Sequence, residues 1–284
     1  KTFEQKFPGI AVRVERSGAE RVFTRIAQEY QSNIAAVDVA NTADQAHVII
    51  WRKEGLLAPY LPQEVVENYD KIYYDPEGLE IVTRVLVSPF GINTNLVKME
   101  DAPKSFTDLL NPKWKGKLGI EQEDSDWLAG IFGSLGDPRA RKVFRDIVAN
   151  NGMSVRKGHT LLSQLVVSGE VPLALTVYNY KAQQLKVQGA PIDWFSIGSA
   201  IARPNGIGVA RKAPHPHAAV LFYDFELSPE GQKIIADLEF VPTSKKIDTP
   251  LNKLPMTFVD AKVAIDEYDK WKNLYRQLFN IRGT

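Results

Sequence analysis

Polar and aromatic residues recur in this sequence where a strand pattern ends and a helix pattern begins. Ligands of open α/β sheets bind beyond the carboxyl ends of strands, at the N-termini of the helices that follow. Carboxylate and phenolate oxygens suit a hard divalent or trivalent cation, and free helix amides suit an accompanying anion. The predicted ligand-binding residues are Ser17, Thr42, Asp44, Asp124, Asp126, Trp127, His159, Tyr178 and Tyr180. The candidate metal ligands among them are Tyr180, Tyr178, Asp126 and His159.

Each of these residues also has a purely structural interpretation. Asp44, Asp124 and Asp126 lie at predicted helix starts, where a carboxylate stabilises free amides whether or not a ligand is present. Trp127 fits either the core or the wall of a cleft, and the two tyrosines could simply flank the end of a buried strand. The sequence leaves both interpretations open.

The usual signatures of catalysis are absent. There is no GxSxG, HExxH, GxxxxGK[ST] or GxGxxG motif, and the chain has four histidines and no cysteine. Thiolate metal sites, iron–sulfur clusters and cysteine nucleophiles are therefore excluded. We expect a protein that is not an enzyme and has no catalytic cofactor; a metal-dependent hydrolase using the same carboxylates is the less favoured alternative.

Strand and helix patterns alternate along most of the chain. Alternating apolar residues or β-branched runs predict strands over 10–14, 35–39, 81–87, 118–120 and 171–177. The almost continuously apolar run 171–177 is typical of a strand buried on both faces. Helical spacing predicts, among others, a helix from Asp124 to Leu135 and a final amphipathic helix from Asp260 to Phe279. The alternation predicts an α/β protein with mostly parallel sheets covered by helices.

Two such blocks in 284 residues predict two lobes. The first comprises 1–87 with about 205–259, and the second 96–200. Hinge crossings are expected at about 82–95 and 199–210, and residues 260–284 are expected to pack as a helix across the lobes. The cleft between two hinged lobes is then the default ligand site.

The charge balance excludes further classes of protein. With 35 Lys and Arg against 34 Asp and Glu, the net charge is +1, so nucleic-acid binding is not expected. No apolar run reaches the roughly 20 residues that cross a bilayer, and we expect a monomer. The sequence opens in what reads as the last turns of a helix, so we expect that a preceding strand and a signal peptide are missing from this numbering.

Three long segments carry a resemblance to a known family. DAPKSFTDLLNPKWKGKLGI (101–120), SGEVPLALTVYNY (168–180) and ARPNGIGVARKAPHPHAAVLFYDFELSPEGQKIIA (202–236) resemble periplasmic solute-binding proteins of ABC transporters, specifically the ferric-iron-binding branch. The resemblance implies a two-lobed type II binding protein in which a mixed, mostly parallel sheet flanked by helices forms each lobe and two strands form the hinge. It implies capture of a solute in the inter-lobe cleft, delivery to a membrane permease, and a periplasmic location.

The resemblance also implies Fe³⁺ with a synergistic anion as the ligand. Of the two adjacent tyrosines typical of the family, the second falls on Tyr180 and the first on Asn179, with Tyr178 displaced by one. The family glutamate falls on Ala43, next to Asp44, and an asparagine falls on His159. The anion-binding loop reads Glu123-Asp124-Ser125-Asp126, and its acidity favours a cation over phosphate. A polyamine, thiamine or a phosphorylated small molecule is the alternative solute.

Overall fold

Helices and strands alternate along most of the chain. The computed structural model describes residues 1–17, 19–259 and 266–281. The helices are α1 Thr2–Lys6, α2 Ala19–Gln31, α3 Gln45–Lys53, α4 Gln63–Asn68, α5 Ser125–Leu135, α6 Asp137–Asn151, α7 His159–Ser168, α8 Asn179–Val187, α9 Pro216–Leu227, α10 Pro229–Asp237 and α11 Tyr268–Leu278. The strands are β1 Val39–Thr42, β2 Ile81–Ser88, β3 Phe90–Asn93, β4 Leu118–Glu121, β5 Ser154–Arg156, β6 Leu173–Ala174, β7 Ile192–Phe195, β8 Ala200–Val209, β9 Val241–Pro242 and β10 Met256–Phe258.

The chain divides into two units. The first unit consists of Lys1–Val85 and Pro204–Asn252, and the second of Leu86–Arg203 and Lys253–Thr284. Two of the boundaries fall inside strands, within β2 and within β8. The predicted hinge crossings contain both boundaries, and the hinge itself stays a prediction.

The first unit is built on the strand order β1-β8-β2-β9. β1 pairs antiparallel with β8, so that Thr42 lies opposite Gly206, and β9 pairs antiparallel with β2. Tyr223 of α9 is fully buried in its core beside Ile81 and Ile207. Tyr69 donates a hydrogen bond to the carbonyl of Leu227 at 2.7 Å, which fixes the end of α9.

The second unit has the strand order β5-β4-β6-β3-β7. β4 runs parallel to both β5 and β6, whereas β3 runs antiparallel to β6 and β7. Trp114, Trp127 and Phe144 are among the largest fully buried side chains of its core. α11 packs against α5 and α6 and buries Trp271 and Tyr275 in the same core.

The predicted fold class, an α/β protein with helix-flanked sheets, is confirmed. The sheets are mixed, but parallel pairings do not predominate: β4 with β5 and β6, and β10 with β8, are parallel, whereas β1 with β8, β9 with β2, and β3 with β6 and β7 are antiparallel. The chain enters the second unit through β2, and β3 follows after a single residue, with no helix between the two strands. A parallel connection between neighbouring strands would require a crossover, usually a helix.

Three predicted strands differ from the structure. Residues 10–14 form no strand, because they pair with no other segment among the described residues and lie exposed or half-exposed. The strand predicted at 35–39 begins only at Val39, where its partner β8 ends opposite it. In the run 171–177 only Leu173–Ala174 is a strand, although the flanking Val171, Leu175 and Val177 are also buried as predicted.

The domain limits differ from the prediction near the C-terminus. Residues 253–259, expected with the first lobe, belong to the second unit. The reason is that β10 pairs in parallel with Ala200–Ala202, the part of β8 that lies in the second unit. Of the predicted helix from Asp260, residues 260–265 lie outside the described residues, and α11 covers Tyr268–Leu278.

No helix in the described part of the chain is long and apolar enough to cross a membrane.

Candidate functional site

Three helix starts in the second unit bring the candidate residues together. Because β4 is parallel to β5 and β6, the segments that follow these strands leave the same edge of the sheet. β4 ends at Glu121, and Asp124 is the N-cap of α5. His159 is the first residue of α7, and Tyr178 is the N-cap of α8.

Arg203, on β8, lies at the centre of this cluster. Its Nη2 donates to Asp124 Oδ1 at 2.6 Å and also to Asp126 Oδ1. Its Nη1 donates to the hydroxyl of Tyr178 at 3.1 Å. The side chain is only 12% exposed, and Asp124 and Asp126 hold the pKa of the guanidinium well above its usual value despite burial. The cluster is therefore assembled around a permanent positive charge.

Asp124 occupies a helix N-cap but does not cap the helix with its side chain. The carboxylate instead accepts from Arg203 and lies 3.2 Å from His159 Nε2. The side chain is 1% exposed. Burial alone would raise the pKa of Asp124, but the neighbouring His159 and Arg203 outweigh it and lower that pKa below its ordinary value. Asp124 is consequently a buried, ionised group.

His159 has an oxygen acceptor at each ring nitrogen. Nε2 faces Asp124 Oδ1, and Nδ1 lies 3.4 Å from the carbonyl oxygen of Thr176. Its ring lies against that of Tyr178, with 3.8 Å between the centroids. The imidazole is therefore held in place by the loops after β4 and β6.

Tyr178 and Tyr180 are a stacked pair, with ring centroids 5.7 Å apart and planes 23° from parallel. Burial raises the pKa of Tyr178 to about 12, against the opposing effect of Arg203. The hydroxyl of Tyr178 is thus a neutral phenol that accepts a hydrogen bond from the guanidinium. Tyr180, in the first turn of α8, is half-buried.

Glu121 ties the loops of the cluster together. Its carboxylate accepts hydrogen bonds from the backbone amides of Gly158, at 2.8 Å, and of Glu123. Its backbone carbonyl accepts from the hydroxyl of Tyr275 on α11. Burial, followed by the charge of Asp124, raises the pKa of Glu121.

Three of these residues could together hold a metal ion. One ligand atom each of Glu121, Asp124 and His159 lies within 4.8 Å of the others. Carboxylate oxygens and an imidazole are suitable donors for iron and other transition metals. Glu121 and His159 already contact neighbouring groups through the atoms that would bind the metal. Asp124 has one oxygen engaged by Arg203, whereas its buried Oδ2 has no hydrogen-bond partner among the described residues.

The structure places the other predicted residues elsewhere. Trp127, which the sequence assigned either to the core or to a cleft wall, is 1% exposed and packs edge-on against Phe106 and Phe144 in the core of the second unit. Its helix turns the indole inward because the apolar side of α5 faces that core. Trp127 therefore has no surface for a solute in this structure.

Ser17, Thr42 and Asp44 belong to the first unit and are not part of the cluster around Arg203. Ser17 is exposed in an extended segment. Thr42 is buried, and its hydroxyl accepts from the amide of Asp44 at 3.1 Å. Asp44 caps α3 by accepting from the amide of Ala46 at 2.9 Å. Their contact with a solute stays a prediction.

Arg203 and Glu121 belong to the cluster but were not among the predicted site residues. A signal for Arg203 was present, since a lone arginine ends the apolar run Ala200-Ile201-Ala202, and a charge buried in a strand must be paired. The inference that loop 123–126 favours a free cation needs correction. Both aspartates of that loop bind the one guanidinium of Arg203, a contact between residues distant in sequence that offsets part of the loop's negative charge.

Solved structures of two other proteins have a similar fold. Iron-bound HitA from Pseudomonas aeruginosa has a similar fold, with a TM-score of 0.80 and 23% identity over 98% of this chain and 93% of HitA. AfuA from Actinobacillus pleuropneumoniae, with exogenous fructose-6-phosphate bound, has a TM-score of 0.80 and 22% identity over 99% of this chain and 93% of AfuA. These likenesses establish the architecture.

A family model described as "Bacterial extracellular solute-binding protein" matches residues 37–272, and the chain belongs to that family. Among sequence relatives, Iron uptake protein A1 of Synechocystis sp. is 25% identical over 280 residues, which is 92% of this chain and 76% of the relative. The protein is thus a solute-binding protein, as the resemblance implied.

Proposed function

We propose that this protein is the solute-binding component of an ABC importer, that it works in the periplasm, and that its solute is ferric iron, which it delivers to a membrane permease. The observation that carries the proposal is the position of two stacked phenols, Tyr178 and Tyr180, beside His159 and two carboxylates at the meeting point of three helix starts. The name of the relative Iron uptake protein A1 and the iron bound to HitA support the same solute.

Tyr180 is the residue that we assign most directly to the iron. It is half-buried at the start of α8, where a phenolate also benefits from the helix N-terminus. Tyr178 and His159 lie next to it and complete the set of donors. The backbone amides at the N-termini of α5 and α7, together with Arg203, provide positive potential for a synergistic anion.

The proposal is that of a binding protein without turnover. A hydrolase acting through the same carboxylates would need one of them free to serve as a general base. Asp124 and Asp126 instead bind Arg203, and Glu121 binds two backbone amides. The geometry therefore favours binding over the hydrolase alternative.

The test is a thermal-shift titration of chelator-treated protein with ferric citrate, followed in parallel by visible absorption. Tight binding to the native state alone raises the melting midpoint by several degrees. Coordination by a tyrosinate gives a charge-transfer band in the visible region. We expect both signals, and we expect Tyr180→Phe to lose them while its ligand-free midpoint stays within about 2 °C of wild type. Absence of both signals in the wild type would rule out ferric iron.

A phosphorylated or phosphonate small molecule is the second candidate solute. The observation in its favour is Arg203, whose Nε is buried and has no hydrogen-bond partner within the described residues. AfuA, whose structure contains fructose-6-phosphate, has the same fold. Sugar phosphates and phosphonates therefore belong in the same thermal-shift screen. A polyamine or thiamine loses its rationale, because the acidic loop that suggested it is occupied by Arg203.

A further inference from the structure

We propose that Arg203 is a specificity-determining residue that occupies the carboxylate pair Asp124 and Asp126 as an internal cation. The carboxylate pair then binds the guanidinium and is not available to a free metal ion. The inference rests on the proposed function only for the identity of the natural solute; the role of Arg203 is argued from its contacts.

The geometry places any second cation at the carboxylate pair close to the guanidinium, although Asp124 Oδ2 is buried without a hydrogen-bond partner among the described residues. Arg203 Nη2 is bonded to one oxygen of each aspartate, at 2.6 Å in the case of Asp124. A metal ion bound to either of these oxygens would lie within a few ångströms of the guanidinium. An arginine cannot release its charge by losing a proton in a protein, so the two cations would repel each other across a poorly solvated space.

The guanidinium is also fixed from its other side. Nη1 donates to the phenol of Tyr178, whose ring is packed on His159. Arg203 precedes Pro204, whose ring restricts the backbone before it to extended conformations. Withdrawal of Arg203 would therefore break three charge-assisted contacts and leave two aspartates and a guanidinium to find new partners.

A consequence for the solute follows from this occupancy. With Arg203 in place, a free trivalent cation meets two aspartates that are already bonded to a fixed positive charge. When iron is accompanied by an anion, the anion can accept a hydrogen bond from the guanidinium, because Arg203 Nε has no partner among the described residues. Arg203 thus selects against bare cations.

The test uses Tb³⁺ as a probe, because this hard trivalent ion luminesces when nearby tyrosine rings such as those of Tyr178 and Tyr180 are excited. The purified protein is titrated with Tb³⁺ alone, without citrate or phosphate. We expect wild type to show no saturable luminescence, and Arg203→Gln to bind Tb³⁺ at least about tenfold more tightly. Arg203→Lys keeps the charge and should behave as wild type. Adding Asp126→Asn to Arg203→Gln should remove the gain.

Two results would overturn the proposal. One is equal Tb³⁺ affinity of wild type and Arg203→Gln. The other is saturable Tb³⁺ binding by wild type that Asp126→Asn abolishes. This second result needs no Arg203 variant, so it decides the question even if Arg203→Gln fails to fold. Failure of the proposed function appears separately, as the absence of a ferric citrate shift in wild type, because the Tb³⁺ titrations do not depend on the natural solute.

Discussion

Arg203 and Asp124 form a buried ion pair, with 2.6 Å between Nη2 and Oδ1. The two residues are distant in sequence and come from different elements, β8 and the start of α5. The pair joins a strand that runs into the second unit to the loops at its sheet edge. Breaking such a pair from one side leaves an uncompensated charge in the interior.

Asp124→Asn should therefore destabilise the ligand-free protein. Removing one partner of a buried ion pair costs about 3 kcal/mol, which corresponds to a loss of several degrees in the melting midpoint. The matched control is Asp126→Asn, since Asp126 is 34% exposed and bonds the same nitrogen. Its loss should cost about 1 kcal/mol or less. Equal losses in thermal or urea denaturation would show that burial does not distinguish the two aspartates.

Glu80 predicts a pH dependence of stability in the first unit. Burial raises its pKa to about 7, although Gln45 and Arg52 oppose the shift. Its carboxylate accepts a hydrogen bond from Gln45 Nε2 at 3.1 Å. Because the folded state binds this proton more tightly than the unfolded state, the stability contribution is full at low pH. It is lost as pH rises from about 4.5 to about 7.

Glu80→Gln should remove this dependence, since the amide is neutral at every pH. We expect the variant to be more stable than wild type at pH 8 by about 2 kcal/mol and to match it near pH 4. The measurement is urea denaturation at pH 4, 6 and 8. Glu77→Gln is the control, because Glu77 is exposed and should change little at any pH. A constant difference between Glu80→Gln and wild type across the series would contradict the argument.

Local patterns in the sequence were sufficient for most elements but not for their partners. The β-branched run of β2 and the Asp-Ser-Asp start of α5 are encoded within a few residues and were predicted. The strand expected at 10–14 has the right alternation, yet a strand requires a neighbour, and alternation does not report one. The antiparallel β3 was not predicted, because the sequence pattern of a short segment does not show which strands lie beside it.

The sequence predicted which loops of the candidate site come together but not the charge of the site that they form. Asp124, Asp126, His159 and Tyr178 do come together, because parallel strands place the loops that follow them at one edge. Their net charge could not be predicted, because Arg203 is 79 residues from Asp124 in the chain. Trp127 could not be assigned to the core either, since its helix start is polar on one side and apolar on the other.

A hydrogen bond from Tyr275 connects α11 to the site, and its contribution to stability can be measured. Its ring is 1% exposed, and its hydroxyl donates to the carbonyl of Glu121, the residue at the end of β4. Tyr275→Phe keeps the ring but leaves that buried carbonyl without this donor, at a cost of about 1 to 2 kcal/mol. Tyr268→Phe, in the same helix, is the control because Tyr268 is 47% exposed. Circular-dichroism melts should show a lower midpoint for Tyr275→Phe only; similar midpoints would contradict the role given to this hydrogen bond.

Gly119, in β4, lies in packing that is too tight for a larger side chain. A methyl group added there would lie 2.5 Å from Val171 Cγ1 and 3.3 Å from Leu162 Cδ1, both of them buried side chains. Val171 must shift to admit it, so Gly119→Ala should cost about 1 to 3 kcal/mol. Gly133 offers the opposite case in α5, because a methyl group there meets nothing within 4 Å. Gly133→Ala should stabilise the protein by about 0.5 to 1 kcal/mol through its higher helix propensity. The denaturant midpoint should therefore fall for Gly119→Ala and rise for Gly133→Ala. A rise of both midpoints would show that the packing around β4 is looser than the contacts at Gly119 require.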